Sequence, residues 1–382
     1  MTSVVHLITD LDTGGSETAL VNLVSRLDSS RFSNAVISLT NRGRHGSDLD
    51  RLGVPVTELH MKPSRPSPMA LWRLRQTLRR AHPDILQTWL FHADFLGLAA
   101  GRAAGIKRIC WNIRSADLRP SDHPASLFFL LRILARLSSL PVAVVVNSHA
   151  GRAAHEAFGY HPRRWELIPN GIDVAAFAPS EERRNRWRQA NGIARDTPVV
   201  GLVARYHPMK DHATFLEAAG AVAARRPDVH FVMAGRGVDP TNAALVAAVA
   251  RRELAGRISL CGEVTDTASL FCALDVAVSA SYSEAFPNVV GEAMACGVPC
   301  VVTDAGDSAR IVGGAGVVVR TRDAEGMSAA MMRLLTMDPA SRAALGREAR
   351  ARITADYSLD RMAKRYEALY DGLRSPLSAV GN

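Results

Sequence analysis

Residues 282–300 read Tyr-Ser-Glu-Ala-Phe-Pro-Asn-Val-Val-Gly-Glu-Ala-Met-Ala-Cys-Gly-Val-Pro-Cys. An apolar run at 276–281 leads into this stretch as a strand, a short helix is expected at about 288–296, and a second apolar strand leaves at 298–302. The unit is therefore strand–loop–helix–strand, with its loop at the strand's carboxyl end, where open α/β sheets bind ligands. The loop and the helix N-terminus offer backbone N–H groups and a positive dipole end to an anion. Two carboxylates, Glu284 and Glu292, sit beside that anion site. They would repel a phosphate but suit hydroxyl groups. A ligand that carries both phosphates and hydroxyls is a nucleotide sugar.

Working outward, the same alternation fills the chain. Before the quoted stretch, strands are expected at 199–205, 229–234 and 258–261, with helices at 212–226, 241–254 and 268–274. After it come strands at 298–303 and 317–319, then a helical tail at 324–373 broken near Pro339. The first half repeats the plan without repeating the sequence. Its strands are expected at 4–9, 34–39, 54–59, 84–89, 107–113 and 142–147, and its helices include 16–27 and 68–81, the latter with Leu71, Leu74 and Leu78 on one face. Such alternation is the pattern of parallel, doubly wound sheets. Ile168-Pro-Asn-Gly-Ile-Asp173 is a turn-rich exit, and 179–196 is a polar linker with a lead-in helix.

A chain of 382 residues exceeds the size at which one core keeps growing, so two domains are expected. The apolar fraction is 47% and the mean hydropathy is close to zero, as in a soluble globular protein. No apolar run reaches the length needed to span a bilayer, and residues 1–10 read as a strand ending in an acid and not as a signal peptide, so a cytoplasmic location is expected. Five scattered cysteines fit reduced core thiols and no disulfide framework. Cys296 and Cys300 form a C-x3-C, but with no second pair or His nearby it does not read as a zinc site.

The net charge of +9 is uneven: residues 1–180 carry +7 and the remainder +2. In the basic half, 62–81 holds Lys62, Arg65, Arg73, Arg75, Arg79 and Arg80, no acid, and Trp72. It reads as a basic amphipathic helix for an anionic membrane surface, at the inner face of a membrane. The apolar stretch 126–140 carries two arginines and is too short to span. For both, a sheet-covering helix with snorkelling arginines is the competing reading. Nucleic-acid binding is not indicated, because Trp72 is the one aromatic interleaved with these cations.

Other loops at strand ends carry chemistry. Asp10-Leu-Asp-Thr-Gly-Gly-Ser-Glu17 follows the first strand, and Gly14 and Gly15 let the backbone approach a ligand; as an ordinary turn, Ser16 would be the N-cap. Arg205, read as the end of its strand, and Lys210, in the next loop, suit a diphosphate: a planar fork and a point charge. Gly235-Arg236-Gly237 is a close-approach turn and not a dinucleotide fingerprint, since Pro240 breaks the pattern. The 262–266 loop, with Glu263 and Val264, could lie beside a base.

Taken in order, these motifs resemble the family-4 glycosyltransferases: Asp-Thr-Gly-Gly-Ser-Glu, Ile-Pro-Asn-Gly-Ile-Asp, Arg205 with Lys210, Ala-Gly-Arg-Gly, and Glu284-x7-Glu292. The resemblance covers most of the chain and is strongest in the second half. It implies the GT-B fold: two facing Rossmann-like domains, with a C-terminal helix at about 359–373 returning to the first. The expected division is 1–178 for an acceptor-binding domain, 179–357 for a nucleotide-sugar domain, and 358–382 for that helix and a tail.

The resemblance also assigns roles. Arg205 and Lys210 hold the diphosphate and offset charge as it leaves, Glu284 reads the donor sugar, and Glu292 reads ribose. Gly14, Gly15, Gly235, Glu263, Val264, Phe286, Pro287, Asn288 and Val289 complete the donor site. The implied reaction retains the anomeric configuration, uses no metal and no cofactor beyond the nucleotide sugar, and serves a lipid-linked or surface-glycan acceptor. One departure stands out. Members of that family commonly carry a His after the strand at 107–113; here Arg114 takes the place, and a permanently charged Arg cannot act as a base. His92, after the preceding strand, is a second cleft candidate. A retaining front-side mechanism, as the resemblance implies, needs neither as a base. Two other classes share these features: a nucleotide-sugar 2-epimerase, and a non-catalytic nucleotide-sugar or membrane-binding module.

Overall fold

The computed structural model describes residues 1–12, 14–61, 68–119 and 124–374. The chain divides into two compact units: Met1–Gly171 with Leu359–Asn382, and Ile172–Ser358. The boundary falls at 171/172, so 172–178, expected with the first domain, belongs to the second unit.

In the first unit the order is β1 (Thr2–Ile8), α1 (Gly15–Val24), β2 (Phe32–Ser38), α2 (Gly46–Arg51), β3 (Val56–Glu58), α3 (Pro68–Ala81), β4 (Ile85–Trp89), α4 (Phe91–Ala103), β5 (Ile109–Ile113), α5 (Ala125–Leu137), β6 (Ala143–Val146), α6 (His149–Phe158) and β7 (Trp165–Leu167). The described strands form one parallel sheet in the order β3-β2-β1-β4-β5-β6-β7. A parallel sheet is buried on both faces, which is why β6 reads Ala-Val-Val-Val with no alternation. One apolar cluster lies on each face.

The second unit runs α7 (Glu181–Ala190), β8 (Val199–Val203), a 3-10 turn (Pro208–Lys210), α8 (His212–Arg225), β9 (His230–Ala234), α9 (Ala243–Ala250), β10 (Ile258–Leu260), α10 (Thr267–Ala273), β11 (Val276–Ser279), α11 (Asn288–Ala295), β12 (Cys300–Thr303), α12 (Ser308–Val312), β13 (Gly316–Val319), α13 (Ala324–Thr336) and α14 (Pro339–Asp356). Its described strands are parallel in the order β10-β9-β8-β11-β12-β13. Chain order reverses between β8 and β11, so their loops diverge to opposite sides and leave a crevice at the carboxyl edge. Asp211, Asp266 and Asp338 accept from the N–H groups of Thr214, Ser269 and Ser341, which starts α8, α10 and α14.

The last helix, α15 (Leu359–Arg374), belongs to the first unit. It buries Leu359, Met362, Ala363, Tyr366, Leu369 and Tyr370, a stripe at helical spacing. These join Ile8, Trp89 and Val145 in one cluster. Tyr366 stacks on Trp89 with ring centroids 6.4 Å apart, and Tyr370 meets Phe32 at 5.9 Å. Arg31 pairs with Glu367 and Asp371.

Several local expectations shift. α1 is capped by Gly14 in extended conformation, and Ser16 lies inside the helix. β8 ends at Val203, so Arg205 stands in the loop. The buried stripe of α3 is Ala70, Leu74 and Leu78, while Leu71 turns outward. The tail breaks twice, at Pro339 and again before Leu359. Lys62 and Arg65 lie outside the described residues.

Candidate active site

The loops after β8 and β11 meet at the point where strand order reverses. Tyr282 N–H donates to Met209 O at 2.9 Å and joins them backbone to backbone. That contact brings Lys210 from one loop to Glu284 of the other, and the Lys210 ammonium donates to Glu284 Oε1. Ser281 Oγ donates to the same oxygen at 2.8 Å. Both charged side chains are largely shielded, 17% exposed for Lys210 and 11% for Glu284. In such a place an ion pair survives because further hydrogen bonds offset desolvation. Ser281, itself buried, supplies one. It was not among the expected site residues; its signal is its place at the polar end of an apolar strand.

Two glycines shape this rim. Gly235, at φ +142°, follows β9; a Cβ there would lie 2.2 Å from Ala204 O and 2.8 Å from Arg205 N. The close approach expected of this turn is thus made to the neighbouring backbone, and it seats the loop that carries Arg205. Gly306, at φ +59°, lies under the other loop, where a Cβ would come 2.3 Å from Glu284 O. Asp307 N–H donates to Ala285 O at 3.1 Å from the same turn.

Arg205 is exposed. Glu292 lies on α11, half-buried, and its carboxyl makes no hydrogen bond or ion pair among the described residues. Burial alone pushes its pKa up to about 7. Phe286 turns into the core against Tyr357, centroids 5.7 Å apart, so only its backbone faces the loop side. Pro287 is buried at the start of α11, Asn288 and Val289 are half-buried in its first turn, Glu263 is exposed after β10, and Val264 packs on the core.

The remaining expected residues lie in the first unit, also at carboxyl ends of strands. Gly14 and Gly15 follow β1, His92 is exposed at the start of α4, and Arg114 follows β5. Leu90, between β4 and α4, holds φ +73° and ψ 160°, a region almost reserved for glycine. Arg114 is held from all sides. Its Nη1 donates to Asn112 Oδ1 at 3.3 Å, its Nη2 donates to Asn170 Oδ1, and its guanidinium lies 5.3 Å from the Trp89 ring centroid. Asn112 Nδ2 donates to Tyr366 OH at 2.8 Å and Asn147 Nδ2 to Asn170 Oδ1 at 3.1 Å. Burial opposes the charge on Arg114; Tyr366 and the Glu17 carboxylate favour it.

Glu17 and Asn170 also escaped the expected site list, although both stand in quoted motifs. Glu17 is buried against Gly14, and burial, with Asp10, raises its carboxyl above the ordinary range. No group of three His, Cys, Asp or Glu placed to hold a metal occurs among the described residues. No helix among them is long and apolar enough to cross a membrane.

Residues 13–176 match the model for Glycosyltransferase Family 4, and 197–337 match that for Glycosyl transferases group 1. The chain belongs to the family-4 glycosyltransferases. It is 31% identical to EpsF of Bacillus subtilis over 252 residues, 65% of this chain and 62% of that protein, so the match spans less than two thirds of EpsF. It is 28% identical over 313 residues to a GDP-mannose-dependent monoacylated alpha-(1-6)-phosphatidylinositol monomannoside mannosyltransferase of Corynebacterium glutamicum, 78% of this chain and 79% of that protein. The structure of Anabaena HepE in complex with UDP superimposes with a TM-score of 0.82 at 21% identity, covering 97% of this chain and all of that one. The fold of this family-4 member is the GT-B type.

Proposed function

We propose that this protein transfers a sugar from a nucleoside diphosphate, UDP in the first instance, to a hydroxyl of a lipid-linked or surface-glycan acceptor, with retention of configuration. The observation that carries the reading is the Lys210–Glu284 pair, braced by Ser281 at the β8/β11 switch point.

The parts divide the donor between them. Lys210 and exposed Arg205 supply the cations for a diphosphate, and their charge is worth most as the leaving oxygen gains its own. On this reading Lys210 supplies the positive charge of a metal-independent reaction. Glu284, fixed by two donors on one oxygen, keeps its second oxygen for a sugar hydroxyl. Glu292, with no hydrogen-bond or ion-pair partner among the described residues, is an acceptor for a diol. Relatives support the class of donor: one is named for GDP-mannose, and the HepE structure contains UDP.

The outer face of α3 supports work at an anionic membrane surface. Met69 is 57% exposed and Trp72 54%, among Arg73, Arg79 and Arg80. On α5, Phe129 is 68% exposed.

The test is calorimetric titration with UDP, GDP and ADP, followed by assay of the matching sugars with lipid-linked acceptors. Binding of one nucleotide that is lost in Glu292→Ala, with anomer-retaining transfer lost in Lys210→Ala, is expected. No binding of any nucleoside diphosphate would defeat the reading. Conversion of UDP-N-acetylglucosamine to its 2-epimer without an acceptor would replace it with the epimerase.

A further inference from the structure

The first sheet has its own point where chain order reverses, between β1 and β4, and the loops there part at the carboxyl edge. β1 leads into Gly14 and Glu17, and β4 ends at Trp89. Arg114, one residue past β5, reaches this point: its guanidinium lies 5.3 Å from the Trp89 ring centroid. Leu90, the residue after β4 with φ +73°, donates its N–H to Asn112 O at 3.3 Å. The strained turn is thus tied to a residue that holds Arg114.

The groups that hold Arg114 are neutral. Asn112 and Asn170 turn their amide oxygens to it, and the Trp89 ring offers a face. The amides are themselves fixed, since Asn112 Nδ2 is committed to Tyr366 OH at 2.8 Å and Asn170 Oδ1 also takes Asn147 Nδ2–H at 3.1 Å. A guanidinium has five N–H groups, and the two amide oxygens leave others over. Arg114 makes no ion pair among the described residues. Glu17 acts on it from beyond ion-pair distance, and burial raises that carboxyl toward its neutral form. The shielded arginines of the second unit differ: Arg184 and Arg188 each meet a carboxylate oxygen of Asp275 at 2.8 Å. Half-buried Arg114 has lost water without gaining a counter-ion. At a carboxyl-edge crevice, a ligand is placed to supply one.

We propose that Arg114, set on Asn112, Asn170 and Trp89, is a specificity-determining subsite of the first unit for an oxyanion carried by the acceptor, a phosphate ester or a carboxylate. The acceptor is then an anionic saccharide and not a neutral one. This rests on the transfer reading above, in which Arg205 and Lys210 of the second unit serve the donor's diphosphate. A planar fork meets two oxygens of either anion side by side, which a point charge does not.

The full chain, saturated with the nucleoside diphosphate that it binds so that the second unit's cations are occupied, is titrated calorimetrically with methyl phosphate, methyl glucuronoside and the neutral methyl glucoside. At least one anion should bind, and Arg114→Gln should weaken it by about 10-fold or more, the scale of one charge-assisted pair. Arg114→Lys, which keeps the charge without the fork, should fall between. Nucleotide affinity in both variants should stay within about 2-fold of wild type. The better-bound anion names the group that the acceptor carries. No binding of either anion up to about 10 mM, or undiminished binding in Arg114→Gln, would overturn the subsite. The wild-type comparison stands even where a variant does not fold: methyl glucoside binding as tightly as methyl glucuronoside, with methyl phosphate not bound, would also overturn it. Nucleotide affinity lowered about 10-fold in Arg114→Gln would move Arg114 to the donor and overturn its assignment to the acceptor. If wild type binds no nucleoside diphosphate, the transfer reading fails, and the acceptor assignment with it, even where anion binding still depends on Arg114.

Discussion

Lys210 and Glu284, 74 residues apart in sequence, share one hydrogen-bonded contact at the junction of β8 and β11. Removing either charge leaves the other largely shielded and unpaired. Lys210→Ala should lower kcat by about 10²- to 10³-fold, the scale of losing one group aimed at developing charge. Glu284→Gln keeps an acceptor for Ser281 but loses the ion pair, and should cost both kcat and donor affinity. Steady-state transfer assays on variants with unchanged circular dichroism check this. Wild-type rates in Lys210→Ala would remove it from the chemistry.

Glu292 gives a pH signature. Its pKa is raised from 4.5 to about 7 by burial, so its contribution to stability is full below pH 4.5 and lost as pH rises through 7. The loss is at most about 3 kcal/mol, the shift converted to free energy. Glu292→Gln lacks this decline, so its stability relative to wild type should grow between pH 5 and pH 8 in urea unfolding. Parallel curves would show that the carboxyl titrates normally. Nucleotide affinity should move the other way in the wild type, rising by about 5-fold across pH 7 as the carboxylate becomes a stronger acceptor for hydroxyls.

Gly306→Ala should reach the site without changing a site residue. Its φ of +59° and the 2.3 Å approach to Glu284 O leave no room for a methyl group. A cost of about 2 kcal/mol or more is expected, with the Glu284 loop displaced. Thermal unfolding and nucleotide titration read the two effects separately.

Arg188 holds the second unit together from inside. It is 1% exposed, and its guanidinium donates to Asp275 Oδ2, Ala273 O and Thr197 O, each at 2.8 Å. Arg188→Ala leaves the Ala273 and Thr197 carbonyls without this donor, while Asp275 keeps Arg184 Nη2 and Val199 N–H, each at 2.8 Å; it should destabilise the second unit by about 2–3 kcal/mol. Urea unfolding measures it; a loss under about 1 kcal/mol would mean that water replaces the guanidinium.

On α3, charge reversal at Arg73, Arg79 and Arg80 should abolish sedimentation with phosphatidylglycerol vesicles at low salt. Trp72→Ala should weaken it, and phosphatidylcholine vesicles should bind neither form. Binding that ignores lipid charge would contradict an electrostatic surface.

The sheets were legible because parallel strands bury both faces, and runs such as Val-Val-Gly-Leu-Val at 199–203 have no other comfortable place. The short elements α2, β7 and α12 were not, since six, three and five residues are too few to show a period. Ser16 looked like a cap by its hydroxyl, yet Gly14 caps because Glu17 lies against it where a side chain would go. Leu71 fits the helical spacing as well as Ala70 does, and only the neighbouring helix decides between them. In the site, the residue types in the loops were readable, but not their partners. Arg114 gave itself away as a departure from the family pattern, whereas Asn170, 56 residues on, had to be seen beside it.

The returning helix α15 has a consequence for how the protein is made. Tyr366 and Tyr370 cover Trp89 and Phe32, residues of strands that leave the ribosome well before α15 does. Synthesis is vectorial and domains generally fold as they emerge. Here the strands of the first unit emerge before Ile172–Ser358 yet stay without α15 until all of that segment has followed them. The nascent chain must carry an uncovered aromatic patch for the whole of that interval, and a ribosome stalled before Leu359 would present it to chaperones.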